Sequence, residues 1–363
     1  MSITTGKVLE ALGNVIDPDL KKDLVSLGMI RDLQVAGNKV CFSLVLTTPA
    51  CPLKDSLKSA CISAIKDLVD SKAEVEINLT SRVTASRPKN EPILPGVKNI
   101  VAVSSGKGGV GKSTVAANLA ISLASTGAKV GLLDADIYGP SIPIMFDSQG
   151  TELTAIEVGN GRLVAIPYKK YGVSMASIGF FVDASRALVW RGPMASNFLK
   201  QMVTDVQWGE LDYMLIDLPP GTGDIHLTMV QTIPLTGAIV VTTPQQIATA
   251  DARKGIDMFK NSNINVPVLG VVENMSWFTP AELPENKYFL FGKEGGRNLA
   301  IETGVPFLGQ IPIIQSVMEG VDVGKPEILN KNSLSRPYFE SLASELARQI
   351  SILNAKTRVA PVS

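Results

Sequence analysis

Apolar side chains recur along this chain with two different periods, and the period changes from one segment to the next. Over Ile3–Val15 they fall at roughly helical spacing, whereas Asn38–Leu46, NKVCFSLVL, is rich in strand-forming residues. Cys51–Val69 returns to helical periodicity, with Leu53, Leu57, Ala60, Ile65 and Leu68 available for one face. Glu74–Leu79, EVEINL, alternates as a half-buried strand does. These elements predict a small α+β domain over residues 1–85. The stretch Ser86–Lys98, SRPKNEPILPGVK, then concentrates Pro, Gly and charge. Such a composition cannot continue a helix or a central strand, so residues 86–97 read as a linker.

From residue 98 to 356 the pattern becomes a series of βα units. Strand candidates are Ile100–Ser104, Lys129–Asp134, Tyr213–Asp217, Ala238–Thr242, Val268–Val272 and Phe307–Ile311. Several are nearly continuous apolar runs, as expected for strands covered by helices on both faces. Helical stretches lie between them at Lys112–Ser125, Pro193–Val206, Ala248–Lys260 and Gly295–Glu302. The alternation predicts an α/β domain with a doubly wound, mostly parallel sheet. The tail Arg336–Leu353 reads as an amphipathic helix packing back on it.

Bulk composition narrows the function classes. At 363 residues the chain accommodates two ordinary domains, and 34 Lys plus Arg balance 34 Asp plus Glu. No net positive field recruits nucleic acid or an anionic membrane, so neither is expected as a partner. No run approaches the roughly 18 apolar residues that cross a bilayer. The N-terminal MSITTGKVLEAL has no apolar stretch of signal-peptide type. Three cysteines, Cys41, Cys51 and Cys61, fit a reducing compartment better than a disulfide framework. A cytoplasmic location is expected.

The chemistry begins at GKGGVGKST. Gly106, Gly111, Lys112 and Ser113 satisfy G-x-x-x-x-G-K-[ST], with a strand running in and a helix of good formers running out. The glycines let the backbone curl so that its N–H groups face a phosphate chain, and the helix N-terminus adds partial positive charge. Residues Gly106, Lys107, Gly108, Gly109, Val110, Gly111, Lys112, Ser113 and Thr114 therefore form the candidate cradle for ATP. Lys112 is expected on the β- and γ-phosphate oxygens and the Ser113 hydroxyl on Mg²⁺. A carboxylate is needed at the end of a neighbouring strand, and YMLID supplies Asp217 for magnesium, through water. The glycines of the following LPPGTGD, Gly221 and Gly223, make that loop a candidate γ-phosphate sensor. VGLLDAD adds Asp134 for Mg²⁺ coordination and Asp136 for orienting water, roles favoured beside a triphosphate site over simple solvated caps. Lys107 is a second lysine that the cradle does not require. It is either a solvated loop-tip residue or one that crosses a dimer interface to a partner's phosphates.

KGGVGKST with Lys107 resembles the deviant Walker A motif of the MinD/ParA class, in which this lysine acts across a nucleotide sandwich dimer. LLDADIYGPSIP (132–143), WRGPM (190–194), LIDLPPGTGD (215–224), VTTPQ (241–245) and GVVENMS (270–276) resemble the Mrp/ApbC group within that class, from about Lys98 to Ile350. The resemblance implies an ATP-hydrolysing iron–sulfur cluster carrier or assembly factor. It would act as a nucleotide-switched homodimer serving apo iron–sulfur client proteins or assembly factors. It also implies Thr114 on the α-phosphate and Asn274 on the adenine edge. LTTPACPLKD, around Cys51, is similar to the SufT-type domain often fused to such ATPases.

One departure bears on the cargo. Relatives carry a C-x-x-C pair shortly after ENMS, where this chain reads ENMSWFTPAELPENKYFLFG, and its ATPase domain has no cysteine. Thiolate is the usual cluster ligand, and carboxylates such as Glu282 and Glu285 are hard substitutes. Attention moves to Cys51 at an apparent strand-to-helix junction, where a nearby helix N-terminus would favour thiolate; the alternative is an inert buried thiol. Cys41 and Cys61 read as core residues. His226, the only histidine, reads as structural or partner-facing, and Trp277–Phe278 as either a docking patch or core. A scaffold or positional ATPase that carries no cluster is the competing function.

Overall fold

A computed structural model describes residues 3–87, 93–159, 161–181, 192–280, 282–283 and 285–359. The central part of the linker, 88–92, and Trp190–Arg191 of WRGPM lie outside the described residues. Two compact units emerge: Met1–Ser86 together with Ala347–Ser363, and Arg87–Leu346.

In the first unit, helices Thr5–Leu12 and Lys54–Leu68 accompany a three-stranded sheet ordered Ile30–Ala36, Lys39–Leu46, Glu74–Ser81. Lys39–Leu46 alternates in burial, and Val40, Phe42, Leu44 and Leu46 point into a core shared with Val8, Leu12, Leu57 and Ile65. Burying that many aliphatic side chains removes them from water at roughly 25 cal/mol per Å². The alternation also corrects an expectation. Cys41 falls on the opposite, half-buried face, because successive strand residues point to opposite sides. Cys61 does lie in the core.

The second unit is built on an eight-stranded sheet. Its order is Tyr168–Lys170, Val173–Ser177, Val130–Asp134, Leu211–Asp217, Val97–Ser105, Gly237–Thr242, Val268–Phe278 and Phe307–Ile313. All neighbours are parallel except the antiparallel pair at the Tyr168–Lys170 edge. Val130–Asp134, Gly237–Thr242 and most of Val97–Ser105 are fully buried, which explains their unbroken apolar runs. Gly237 admits the neighbouring strand: a Cβ there would meet the Pro267 carbonyl at 2.8 Å. Chain order reverses around the central strand Val97–Ser105, and the carboxyl ends of parallel strands at such a switch point are where ligands bind. The final helix runs Arg336–Val359; its residues from Ala347 onward group with the first unit, so it does not belong to the second unit throughout.

Candidate functional site

The central strand Val97–Ser105 ends at the glycine-rich loop, and the helix Lys112–Ser125 leaves from it. Two loop glycines adopt left-handed backbone, Gly109 at φ +82° and Gly111 at φ +81°, which side-chain-bearing residues rarely enter. Gly106 is required for a different reason. A Cβ there would lie 2.2 Å from the backbone carbon of Asp251, in helix Gln246–Lys260, so loop and helix are in backbone contact.

Lys112, only 6% exposed, turns its ammonium onto Asp217 Oδ1 at 2.6 Å, with Asp136 Oδ2 at 3.9 Å and Ser113 Oγ at 3.3 Å. Asp217 ends strand Leu211–Asp217 and is wholly buried. Burial raises its pKa above the usual carboxylate range, with Lys112 pulling the other way. Its Oδ2 is buried and makes no hydrogen bond. On the adjacent strand, Asp134 sits in register with Asp217. Its Oδ2 accepts from Ser177 Oγ at 2.9 Å and Ile142 N at 3.3 Å, while Oδ1 accepts from Asp136 N at 3.2 Å. Burial first, and then the Asp217 charge, push its pKa up to about 7.

The loop after Asp217 is tied to the P-loop strand by its backbone: Leu218 N donates to Val103 O at 3.0 Å and Gly221 N to Ser105 O at 2.9 Å. Ser105 Oγ donates in turn to the Lys107 carbonyl at 2.9 Å. The Lys107 side chain is half-exposed, and nothing among the described residues holds its ammonium. Thus Lys112, Ser113, Asp134, Asp136 and Asp217 converge, with Lys107 at the rim.

Asn274 also reaches this site, but from the side. It is 8% exposed, and its Nδ2 donates to the Val110 carbonyl at 2.9 Å, bracing the loop. A Cβ on Gly111 would meet that same Nδ2 at 2.2 Å. Beside it, Glu273 is fully buried and accepts from Gly296 N at 2.6 Å and Gln310 Nε2 at 2.8 Å, anchoring the strand end. Sequence reading missed Ser177 and Glu273, since no motif marks a serine or glutamate at a strand end. Trp277 is core rather than a docking patch: it is 8% exposed, with Lys287 over its ring at 4.2 Å.

A resident Mg²⁺ fits these residues. Asp217 Oδ2 is a buried oxygen without a partner, on a carboxylate whose Oδ1 accepts from Lys112, itself 3.3 Å from Ser113 Oγ. Among the described residues no group of three or more His, Cys, Asp or Glu could hold a metal by itself. That suits magnesium, which takes one or two carboxylates and completes its shell with phosphate and water.

Cys51 lies in the first unit, three residues before helix Lys54–Leu68, whose N-cap is Leu53. It is half-buried, and burial raises its thiol pKa, with Asp17 and Asp19 adding to the shift against Leu53 N–H and Lys54. The helix start therefore does not make Cys51 a thiolate; desolvation outweighs it. Cys61 is more strongly affected, pushed up to about 12.

Comparisons with known proteins agree with this geometry. Residues 96–349 match the family model described as NUBPL iron-transfer P-loop NTPase, and residues 6–78 match one described as iron–sulfur cluster assembly protein. The iron–sulfur cluster carrier protein of Synechocystis is 45% identical over 96% of this chain and 99% of its own length. That of Deinococcus radiodurans is 46% identical over 95% of each chain. A solved nucleotide-binding protein from Archaeoglobus fulgidus, in complex with ADP, is 35% identical with a TM-score of 0.56, covering 67% of this chain and 95% of that one.

Proposed function

We propose, from the premise that this chain belongs to the NUBPL iron-transfer family of P-loop NTPases, that it is an ATP-driven carrier and assembly factor for iron–sulfur clusters. The chain is a P-loop ATPase. The observation that carries the carrier reading is the near-full-length likeness, across both units, to proteins of that name. Apo iron–sulfur proteins or assembly factors are its clients, and a homodimer is its working form.

The residues divide the work as follows. Lys112 exchanges Asp217 for the β- and γ-phosphate oxygens, and the loop N–H groups Gly108–Thr114 take the remaining phosphate charge. Ser113 and Asp217 would hold Mg²⁺, with Asp134 in support, its carboxylate fixed by Ser177. When bound there, magnesium would supply charge neutralisation for phosphoryl transfer. Asp136 orients the attacking water. Lys107, half-exposed at the rim, reaches a second subunit's phosphates and stabilises transition-state charge. Thr114 serves the α-phosphate. Asn274 braces the Val110 carbonyl and serves the adenine edge.

Cargo chemistry falls to the first unit, since no thiol exists in the second. Cys51 supplies one thiolate, released from its raised pKa when iron binds, and a dimer mate, client or small thiol supplies the rest. Anaerobic reconstitution with iron and sulfide tests this. Retention of a cluster by the wild type and its loss in Cys51→Ser are expected; a wild type that retains none and transfers none to an apo-acceptor overturns the carrier reading.

A second reading keeps its standing on one observation, the missing C-x-x-C pair. Under it the ATPase organises a partner without a cluster. ATP-dependent co-sedimentation with anionic liposomes or DNA would favour it.

A further inference from the structure

His226 is the one histidine in the chain, and the site described above leaves it unused. It is 2% exposed, in the first turn of helix Asp224–Thr232, directly after the switch loop. Its ring Nε2 stands 3.4 Å from Ser104 Oγ, and Ser104, 1% exposed, is the penultimate residue of the P-loop strand. The ring packs against Phe259 with centroids 5.9 Å apart. Nδ1 is buried and makes no hydrogen bond, although the Pro219 carbonyl of the switch loop interacts with the ring.

These contacts admit a neutral ring with its proton on Nδ1. Burial drives the pKa down to about 4, so the ring is neutral near pH 7 and carries one N–H. With the Ser104 hydroxyl donating to Nε2 the proton sits on Nδ1, which makes no full hydrogen bond although the Pro219 carbonyl lies against the ring. A buried donor left unmet is destabilising, because its hydration is lost and not replaced. The carbonyl able to relieve that cost belongs to Pro219, two residues beyond Asp217.

We propose that His226 is a positioning residue that couples the switch loop to the P-loop strand. Ser104 holds the ring, and Nδ1–H is presented to the Pro219 carbonyl. Closure of the loop over a γ-phosphate completes the missing hydrogen bond. The loop is thereby stabilised in the arrangement in which Asp217 and Asp136 face the phosphate, so the effect falls on turnover and not on ATP affinity. This rests on the ATPase reading, which a wild-type turnover that disappears in Lys112→Ala secures independently of His226.

Steady-state ATPase assays on the full chain test it with three variants. His226→Phe, which fills the volume beside Phe259 without polar atoms, should lower kcat about tenfold with KM for ATP unchanged within about twofold. His226→Asn keeps a donor on the Nδ1 side and should recover about threefold over Phe. Ser104→Ala should lower kcat in the same direction and add nothing to His226→Phe. A Phe variant with wild-type kcat overturns the proposal, as does an Asn variant no better than Phe, an effect confined to KM, or additive loss in the double variant. If His226→Phe does not fold, Ser104→Ala and His226→Asn are compared with wild type: both should lower kcat with KM unchanged within about twofold, and wild-type kcat in either or a change confined to KM overturns the proposal.

Discussion

The Lys112–Asp217 pair joins two buried groups that depend on each other. Lys112→Ala removes the cation that pairs, at 2.6 Å, with a carboxylate wholly buried beside Asp134. Nucleotide binding should be lost, and folding stability should fall by about 3 kcal/mol, because the remaining charge is unpaired. Fluorescent-nucleotide titration and urea unfolding measure both. His226 gives a pH signature. Its ordinary value is 6.5 and its folded value about 4, so the unfolded chain takes up a proton first as pH falls. The stability gained from a neutral ring is full above about pH 6.5 and lost as pH drops toward 4. Relative to His226→Phe, the wild type should lose roughly 2 kcal/mol between pH 7 and pH 5. Asp134 runs the opposite way, since its folded pKa is raised and its contribution is lost as pH rises through about 7. Both proteins keep Asp134, so the comparison cancels it. At this scale the motif residues were legible because phosphate chemistry dictates their spacing. Ser177 was not, because its role comes from strand neighbours 43 residues apart in sequence.

At the scale of elements, the P-loop is held in place by a backbone contact that leaves no room for a methyl group. Gly106→Ala should displace the loop from helix Gln246–Lys260 and reduce ATP affinity at least about tenfold, with Lys112 and Ser113 intact. Isothermal titration, with circular dichroism to confirm the fold, checks it. Central strands and their helices were readable because burial on both faces writes them as apolar runs; Lys112–Ser125 agrees at both ends. Val268–Phe278 extends six residues past the expected Val272, through polar Glu273 and Asn274 whose side chains are satisfied inside. Ile30–Ala36 escaped notice altogether. Arg31, Asp32 and Gln34 break its alternation, and a register shift falls between Arg31 and Gln34. The edge strand Tyr168–Lys170 is three residues long and pairs antiparallel, too short to show a period.

For the molecule as a whole, Lys107 sets the decisive test of assembly. Lys107→Ala should leave ATP affinity within about threefold of wild type while abolishing ATP-dependent dimerisation and lowering turnover by about 10³-fold. Light scattering with and without nucleotide reads the first, and unchanged dimerisation would rule out the role in trans. The two-part organisation was visible in the change of period, but the grouping of Ala347–Ser363 with the first unit was not. Periodicity identifies a helix and says nothing of which body its turns pack on. One consequence concerns how ATP arrives. The chain has no net charge, and Lys112 is already matched from within by Asp217 and Asp136. Such a site casts little field into solvent, so capture begins at contact and not by long-range attraction. The association rate for ATP should therefore change less than about twofold between roughly 20 and 200 mM salt, as stopped-flow fluorescence would record. Passing polyanions feel no pull, and the ligand retained is the one able to take Lys112 from its carboxylate.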